Sequence, residues 1–438
     1  MYNPKKLVFH PLSEKIVEML CVKTQRENSQ FFRVLVAYQM SLMASTMRCT
    51  IETHDRGSIP VNLYALNLGT SGSGKGHSTG IMESEVTKLF RERFVDYTFG
   101  ALADVNLPKL ALKRANRKAT DPEEELANLT KEFENSGKLA FTFDAATVAA
   151  VRQQRHKLLL ADGGALNLQI DEIGSNLSGN MEELTKYLEL YDVGVIKQNL
   201  IKNTQDNKRN EEIVGRTPTN LMMFGTPSKL LNGGKTEEEF YSLLDAGYAR
   251  RCFYGYTRTA GVAADLTPDQ VYDITTNKQN EAFLQEISDK FEALADMINV
   301  NKKLIMSKET SLLLIDYRLK CEKEAEKYGE HEEMRKAEIS HRYYKALKLA
   351  GAYAFVDQST ELTTEHLYNA IALAEDSGLA FNQLLARDRN YVKLAKYMAT
   401  VKGDVTQADL VEDLPFYRGP LSQKNEMLSL AIAYGYKN

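Results

Sequence analysis

The sequence predicts an α/β fold: a parallel-sheet core with helices before it, a longer helical region after it, and a small helix–turn–helix unit at the end. Three observations carry that prediction. The strand-like run VNLYALNL (61–68) passes straight into glycine-rich GTSGSGKG and then into a helical pattern at 78–96. A second apolar run, LNLQI (166–170), ends in Asp171-Glu172. After about residue 260 the strand signals disappear and helical spacing continues to about 385. Strand, glycine loop and helix in succession form the opening unit of a phosphate-binding (P-loop) α/β domain.

Taken in order, residues 12–47 carry helical apolar spacing (Ile16, Val17, Met19, Leu20, then Phe31, Phe32, Val34, Leu35, Tyr38, Leu42). After the glycine loop, residues 109–138 form a charged stretch with seven basic and six acidic side chains, read as a solvated helical insertion. LAFTF (139–143) reads as extended, with Asp144 expected to cap a helix over 145–158. A helix over 181–191, a polar two-stranded stretch over 195–216 and the strand LMMFG (221–225) follow. Residues 316–349 read as one charge-laced helix with i,i+4 pairs. From 390, YVKLAKYMA, a cap at Thr406 before QADLVEDL, a polar turn and a last helix give the pattern of a winged helix. The expected units are an N-terminal helical segment (1–55), a P-loop core (56–262), a helical domain (263–388) and a winged-helix-like domain (389–438).

Composition narrows the functional classes. The 438 residues hold 55 basic and 59 acidic side chains, a formal net charge of −4, which excludes a globally basic nucleic-acid binder and leaves a locally basic surface open. No apolar run approaches the ~20 residues that span a bilayer, and the N-terminus turns polar too soon for a secretory signal. A soluble, cytoplasmic protein without membrane partners is expected. Cys21, Cys49, Cys252 and Cys321 lie far apart and read as buried thiols, with neither disulfide nor zinc spacing.

The chemistry concentrates in the loop. Gly69-Thr70-Ser71-Gly72-Ser73-Gly74-Lys75 fits GxxxxGK. Glycines let successive backbone N–H groups curl around phosphates, the next helix turns its positive end toward them, and Lys75 reaches the terminal phosphates. Gly69, Ser71, Gly72, Ser73, Gly74, Lys75, Gly76 and His77 are the candidate nucleotide-binding residues. Gly76 stands where the pattern wants a Ser or Thr for Mg2+, so the ion must lean on carboxylates and water, or on a shifted hydroxyl at Ser78 or Thr79. Asp171 is the candidate for the water shell of Mg2+, and Glu172 for orienting or deprotonating an attacking water. Thr226, at the tip of LMMFG, is the candidate for holding that water or sensing the γ-phosphate. Arg250 and Arg251, in GYARRCF, are candidates for an arginine finger reaching a neighbouring subunit's ATP, with Arg250 preferred.

GTSGSGKG, FTFDAATVAAV, LNLQIDEIG, ELYDV, TNLMMFGTPSKLL and DAGYARRCF resemble, in sequence and order, the P-loop ATPases of phage and plasmid primase-helicases, which are similar to superfamily 3 and AAA+ helicases. The resemblance covers roughly residues 60–260 and implies a RecA/AAA+-like core. It also implies a ring, expected as a hexamer, that hydrolyses ATP with Mg2+ between subunits and threads nucleic acid through its pore. A primase or polymerase partner would fit, in the host cytoplasm if phage-encoded. Priming activity is not carried over.

The resemblance gives the stretch 195–216 a role as a pore hairpin gripping single-stranded DNA. Residues 196–216 hold five basic and three acidic side chains, and Lys202, Lys208 and Arg209 are the candidate phosphate contacts. A solvated surface hairpin is the competing reading. For the whole chain the competing function is an ATP-binding helicase loader or replisome scaffold that does not itself unwind.

Overall fold

The computed structural model describes residues 2–144, 147–195, 213, 215–262, 266–401, 405–414 and 416–437. Two helices lead. α1 (Pro11–Thr24) starts with proline at its first position and His10 capping Ser13 N–H, and it ends at Gln25 in the left-handed region (φ 54°). α2 (Ser29–Thr46) is largely apolar, and all of it but Ser29, Gln30 and Arg33 is buried. A helix of that kind belongs inside a fold. It lies across the central sheet.

A hairpin of β1 (Thr50–Thr53) and β2 (Gly57–Pro60) precedes β3 (Tyr64–Gly69), a wholly buried strand. The glycine loop leads into α3 (Lys75–Ile81). Helix then continues through a π turn (Met82–Val86), α4 (Lys88–Arg93), a second π turn (Phe94–Thr98) and α5 (Phe99–Lys118). α6 (Pro122–Asn135) follows, charged and largely exposed, so the stretch 109–138 expected as one helical insertion is divided between the last part of α5 and α6. α7 (Val148–Ala161) is capped by Thr147, which accepts from Ala150 N–H. The cap expected at Asp144 is therefore corrected. Asp144 instead accepts the Asp171 N–H at 3.3 Å.

β4 (Leu166–Ile170) runs into α8 (Ile173–Val193), which begins directly after Glu172, earlier than the expected helix at 181. β5 (Thr219–Gly225) is followed by α9 (Pro227–Leu230), α10 (Lys235–Leu243) and β6 (Cys252–Thr257). These strands form one parallel sheet in the order β4-β5-β3-β6. Of LAFTF, only Phe143 extends the sheet, through a parallel bridge to Leu168. Burial on both faces explains the continuous apolar runs of these strands.

The expectation that strands vanish after 260 is also corrected. α11 (Pro268–Thr275) and α12 (Lys278–Leu294) lead to β7 (Lys303–Met306), then α13 (Lys308–Ala325), α14 (Glu333–Val356), β8 (Glu361–Leu362) and α15 (Thr364–Leu385). β7 pairs in parallel with β1 and with β8, giving a second sheet ordered β2-β1-β7-β8. The single helix expected over 316–349 is two, α13 and α14, broken around Gly329. One apolar core runs from Ile16 to Leu384 and takes in α2, the central sheet, α14 and α15.

α16 (Asn390–Thr400), α17 (Gln407–Asp413) and α18 (Leu421–Lys437) build a small second core around Leu394, Leu410, Leu414, Tyr417 and Ala431. Thr406 caps α17 in a reciprocal box with Asp409, as its sequence predicts. No helix among the described residues is long and apolar enough to cross a membrane. The four cysteines are free thiols, and Cys49, Cys252 and Cys321 are buried.

Candidate functional site

Parallel strands end at one edge, and in open α/β sheets that carboxyl edge is where ligands sit. Here Gly69, Ile170, Gly225 and Thr257 end the four strands along that edge. The glycine loop, the acidic pair and Thr226 therefore share it. β5 lies between the loop strand β3 and the carboxylate strand β4.

The loop's shape follows from its glycines. Gly72 (φ 79°) and Gly74 (φ 85°) occupy the left-handed region, and a Cβ on Gly69 would meet Ser73 Oγ at 2.5 Å. Ser73 N–H closes a tight turn onto the Thr70 carbonyl, 3.1 Å. Ser73 Oγ and Thr70 Oγ1 are buried hydroxyls without a hydrogen-bond partner among the described residues. Ser71, Gly76 and His77 face solvent.

Lys75 and the acidic pair come together across this edge. Lys75 Nζ lies 3.7 Å from Glu172 Oε2 and donates to the Asp171 carbonyl at 3.4 Å. Glu172 accepts from Thr226 twice, from Oγ1 to Oε2 at 3.0 Å and from the backbone N–H to Oε1 at 3.2 Å. Lys75 and Glu172 are each about one-quarter exposed, so the pair is open to a ligand and partly shielded from water. The Asp171 side chain is exposed beside Asp144.

Beside Gly76, Ser78 and Thr79 are both buried and donate their hydroxyls to the Lys75 carbonyl at 3.0 Å. A Cβ on Gly76 would meet nothing within 4 Å. Among the described residues no group of three or more His, Cys, Asp or Glu is arranged to hold a metal. A nucleotide-borne Mg2+ needs little more than phosphates, water and one or two carboxylates. The residues fit that lighter demand: a glycine cradle with two unpartnered buried hydroxyls, Lys75, and Asp171 at the rim.

Arg250 and Arg251 lie elsewhere. They precede β6, whose first residue Cys252 pairs with Tyr64 at the start of β3, so both sit at the opposite edge of the sheet from their own loop. Arg251 is committed within its own chain, donating to the Gly247 carbonyl (3.2 Å) and Asp192 Oδ2 (3.4 Å) and lying over the Tyr191 ring. Arg250 has no hydrogen bond or ion pair among the described residues. Burial and then the charge of Arg251 lower its pKa.

Lys202, Lys208 and Arg209 lie outside the described residues, as does nearly all of the polar stretch. Its two ends meet, with Thr217 N–H donating to the Gly194 carbonyl at 2.8 Å. Arg216, at its base, donates to the Ser58 carbonyl. Sequence reasoning missed Arg26 and Asn28, which touch the glycine loop from 46 and 45 residues away, and no motif marks them.

Comparison with protein-family models and with curated proteins returns no match.

Proposed function

We propose that the chain is a P-loop ATPase acting as a ring-forming DNA helicase or translocase in phage or plasmid replication. The observation that carries the nucleotide reading is the approach of Lys75 Nζ to Glu172 Oε2, 3.7 Å, at the mouth of a glycine loop on the carboxyl edge of a parallel sheet. The strand order, with one strand between loop and carboxylates, supports the same reading.

In this mechanism the backbone N–H groups of the loop and Lys75 hold the β- and γ-phosphates of substrate ATP. Glu172, steadied by both donors of Thr226, orients the attacking water and takes its proton. A bound Mg2+ would neutralise phosphate charge, and Asp171 is the residue to hold it, through water. Arg250, half-buried at the far edge and without a hydrogen bond or ion pair among the described residues, would complete a neighbouring subunit's site. The polar stretch 195–216 would meet nucleic acid in the pore, and the 389–438 unit would serve as a winged-helix-like contact module. A loader or scaffold role is the second reading. It is favoured by one observation, Gly76 beside Lys75 in place of the Ser or Thr that the pattern supplies to Mg2+, which would slow hydrolysis.

The test is ATP binding and hydrolysis with and without single-stranded DNA, alongside unwinding of a forked duplex. Lys75→Ala is expected to lose nucleotide binding. Glu172→Gln is expected to bind ATP while turnover falls about 100-fold or more. Wild-type protein that binds no ATP overturns the nucleotide reading. Hydrolysis that never unwinds the fork under any nucleotide condition transfers the function to the loader.

A further inference from the structure

The N-terminal helices close on the glycine loop from behind. Between α1 and α2 the chain turns through Gln25, and the residues after it meet the loop directly. Arg26 Nε donates to the Gly72 carbonyl at 2.7 Å. Asn28, only 7 % exposed, donates from Nδ2 to the Ser73 carbonyl at 2.9 Å and to the Ala260 carbonyl at 3.1 Å. Its Oδ1 accepts from Thr257 Oγ1 at 3.1 Å. Glu27 N–H donates to the Gly261 carbonyl at 2.7 Å, and Arg26 pairs with Val262. The corner thus joins the glycine loop to the segment that follows β6.

A loop whose N–H groups converge on an anion must turn its carbonyls outward and supply them with donors. Arg26 and Asn28 do this for two consecutive carbonyls. The peptide plane is rigid and trans, so fixing the Ser73 carbonyl against Asn28 turns the Gly74 N–H to the opposite side. Fixing the Gly72 carbonyl against Arg26 does the same for the Ser73 N–H that closes the loop's own turn. The corner also packs on the loop. A Cβ added to Gly74 would lie 3.2 Å from Arg26 Cγ and 3.5 Å from Thr24 Cβ.

We infer that Arg26 and Asn28 are positioning residues for the phosphate loop, setting its shape before nucleotide arrives. The inference rests on the reading of this loop as the ATP site. Neither residue touches substrate. Their effect is on ground-state affinity, because a loop without its braces must be ordered by the ligand itself.

The experiment uses the full chain. Arg26→Met keeps the side-chain stem against Gly74 and removes the donor, Arg26→Lys restores a donor, and Asn28→Asp keeps the shape and removes both N–H donors. KM for ATP, kcat and the nucleotide-free melting temperature are measured for each. Arg26→Met is expected to raise KM about tenfold with kcat within about threefold, the loss of one charge-assisted hydrogen bond. Arg26→Lys recovers most of it, and Asn28→Asp exceeds it. An unchanged KM in folded Arg26→Met and Asn28→Asp overturns the inference, as does a lowered melting temperature with unchanged KM. If Asn28→Asp does not fold, the partly exposed Arg26 pair decides alone. Wild-type protein that binds no ATP overturns the reading of the loop itself, a result separate from these.

Discussion

Gly76 is the residue at which sequence pattern and site chemistry part company. Its place beside Lys75 is solvent-facing, a Cβ there meets nothing, and its φ is not left-handed, so the position accepts a side chain without strain. Gly76→Ser would put a hydroxyl where the neighbouring hydroxyls, tied to the Lys75 carbonyl, do not reach. The expected outcome is hydrolysis at a severalfold lower Mg2+ concentration, read by titrating Mg2+ at fixed ATP. An unchanged Mg2+ requirement would show that Asp171 and water suffice. What was legible at this scale was contiguous in the chain. The glycine loop declares itself in seven consecutive residues, and Asp171-Glu172 at the end of an apolar run. Arg26 and Asn28 were illegible because their meaning lies in contacts to carbonyls 46 and 45 residues away, and carbonyls carry no sequence identity.

Among the elements, α14 is the most unusual, because it carries buried lysines. Lys348 is 1 % exposed and donates to Asn62 Oδ1 (2.6 Å) and the Tyr191 carbonyl (2.8 Å). Two acceptors match the two N–H bonds of a neutral amine. Burial pushes its pKa down to about 7, with Asp192 opposing that and Arg251 adding to it. The unfolded chain holds this proton up to about pH 10.4. Between about pH 7 and that value the unfolded state therefore binds more protons, and stability from this residue rises with pH. The buried thiols of Cys49 and Cys252, pushed up to about 12 by burial, act in the opposite sense above about pH 8.5. The clean window is pH 7 to 8.5. Urea unfolding there is expected to show wild type gaining stability relative to Lys348→Gln, and parallel curves would contradict the assignment. The elements that sequence reasoning missed, β1, β2, β7 and β8, are two to four residues long. Strands that short hold no periodicity to read. The core strands β3, β4 and β5 were legible because burial on both faces makes them nearly continuous apolar runs.

For the whole molecule, the decisive feature is that Arg250 and Glu172 stand at opposite edges of one sheet. They act on one ATP only if different copies of the chain supply them. Arg250→Ala and Glu172→Gln proteins are each expected to be inactive. An equimolar mixture, after exchange, should regain about a quarter of wild-type turnover, since one in four interfaces then pairs two intact residues. A mixture that stays inactive despite demonstrated subunit exchange would remove the shared site.

The second sheet has a consequence for dissecting the protein. Because Thr50 to Glu52 hydrogen-bond alongside Lys303 to Ile305, segments some 250 residues apart in sequence form one surface, and α2 roofs the strands that carry the glycine loop. A fragment cut at 56 and 262 would lose that roof and both of those strands at once, keeping only β2 of the second sheet. A minimal folded piece keeps α1 through α15, which share one core, whereas the three terminal helices pack around a small core of their own and can be trimmed without baring the strands beneath.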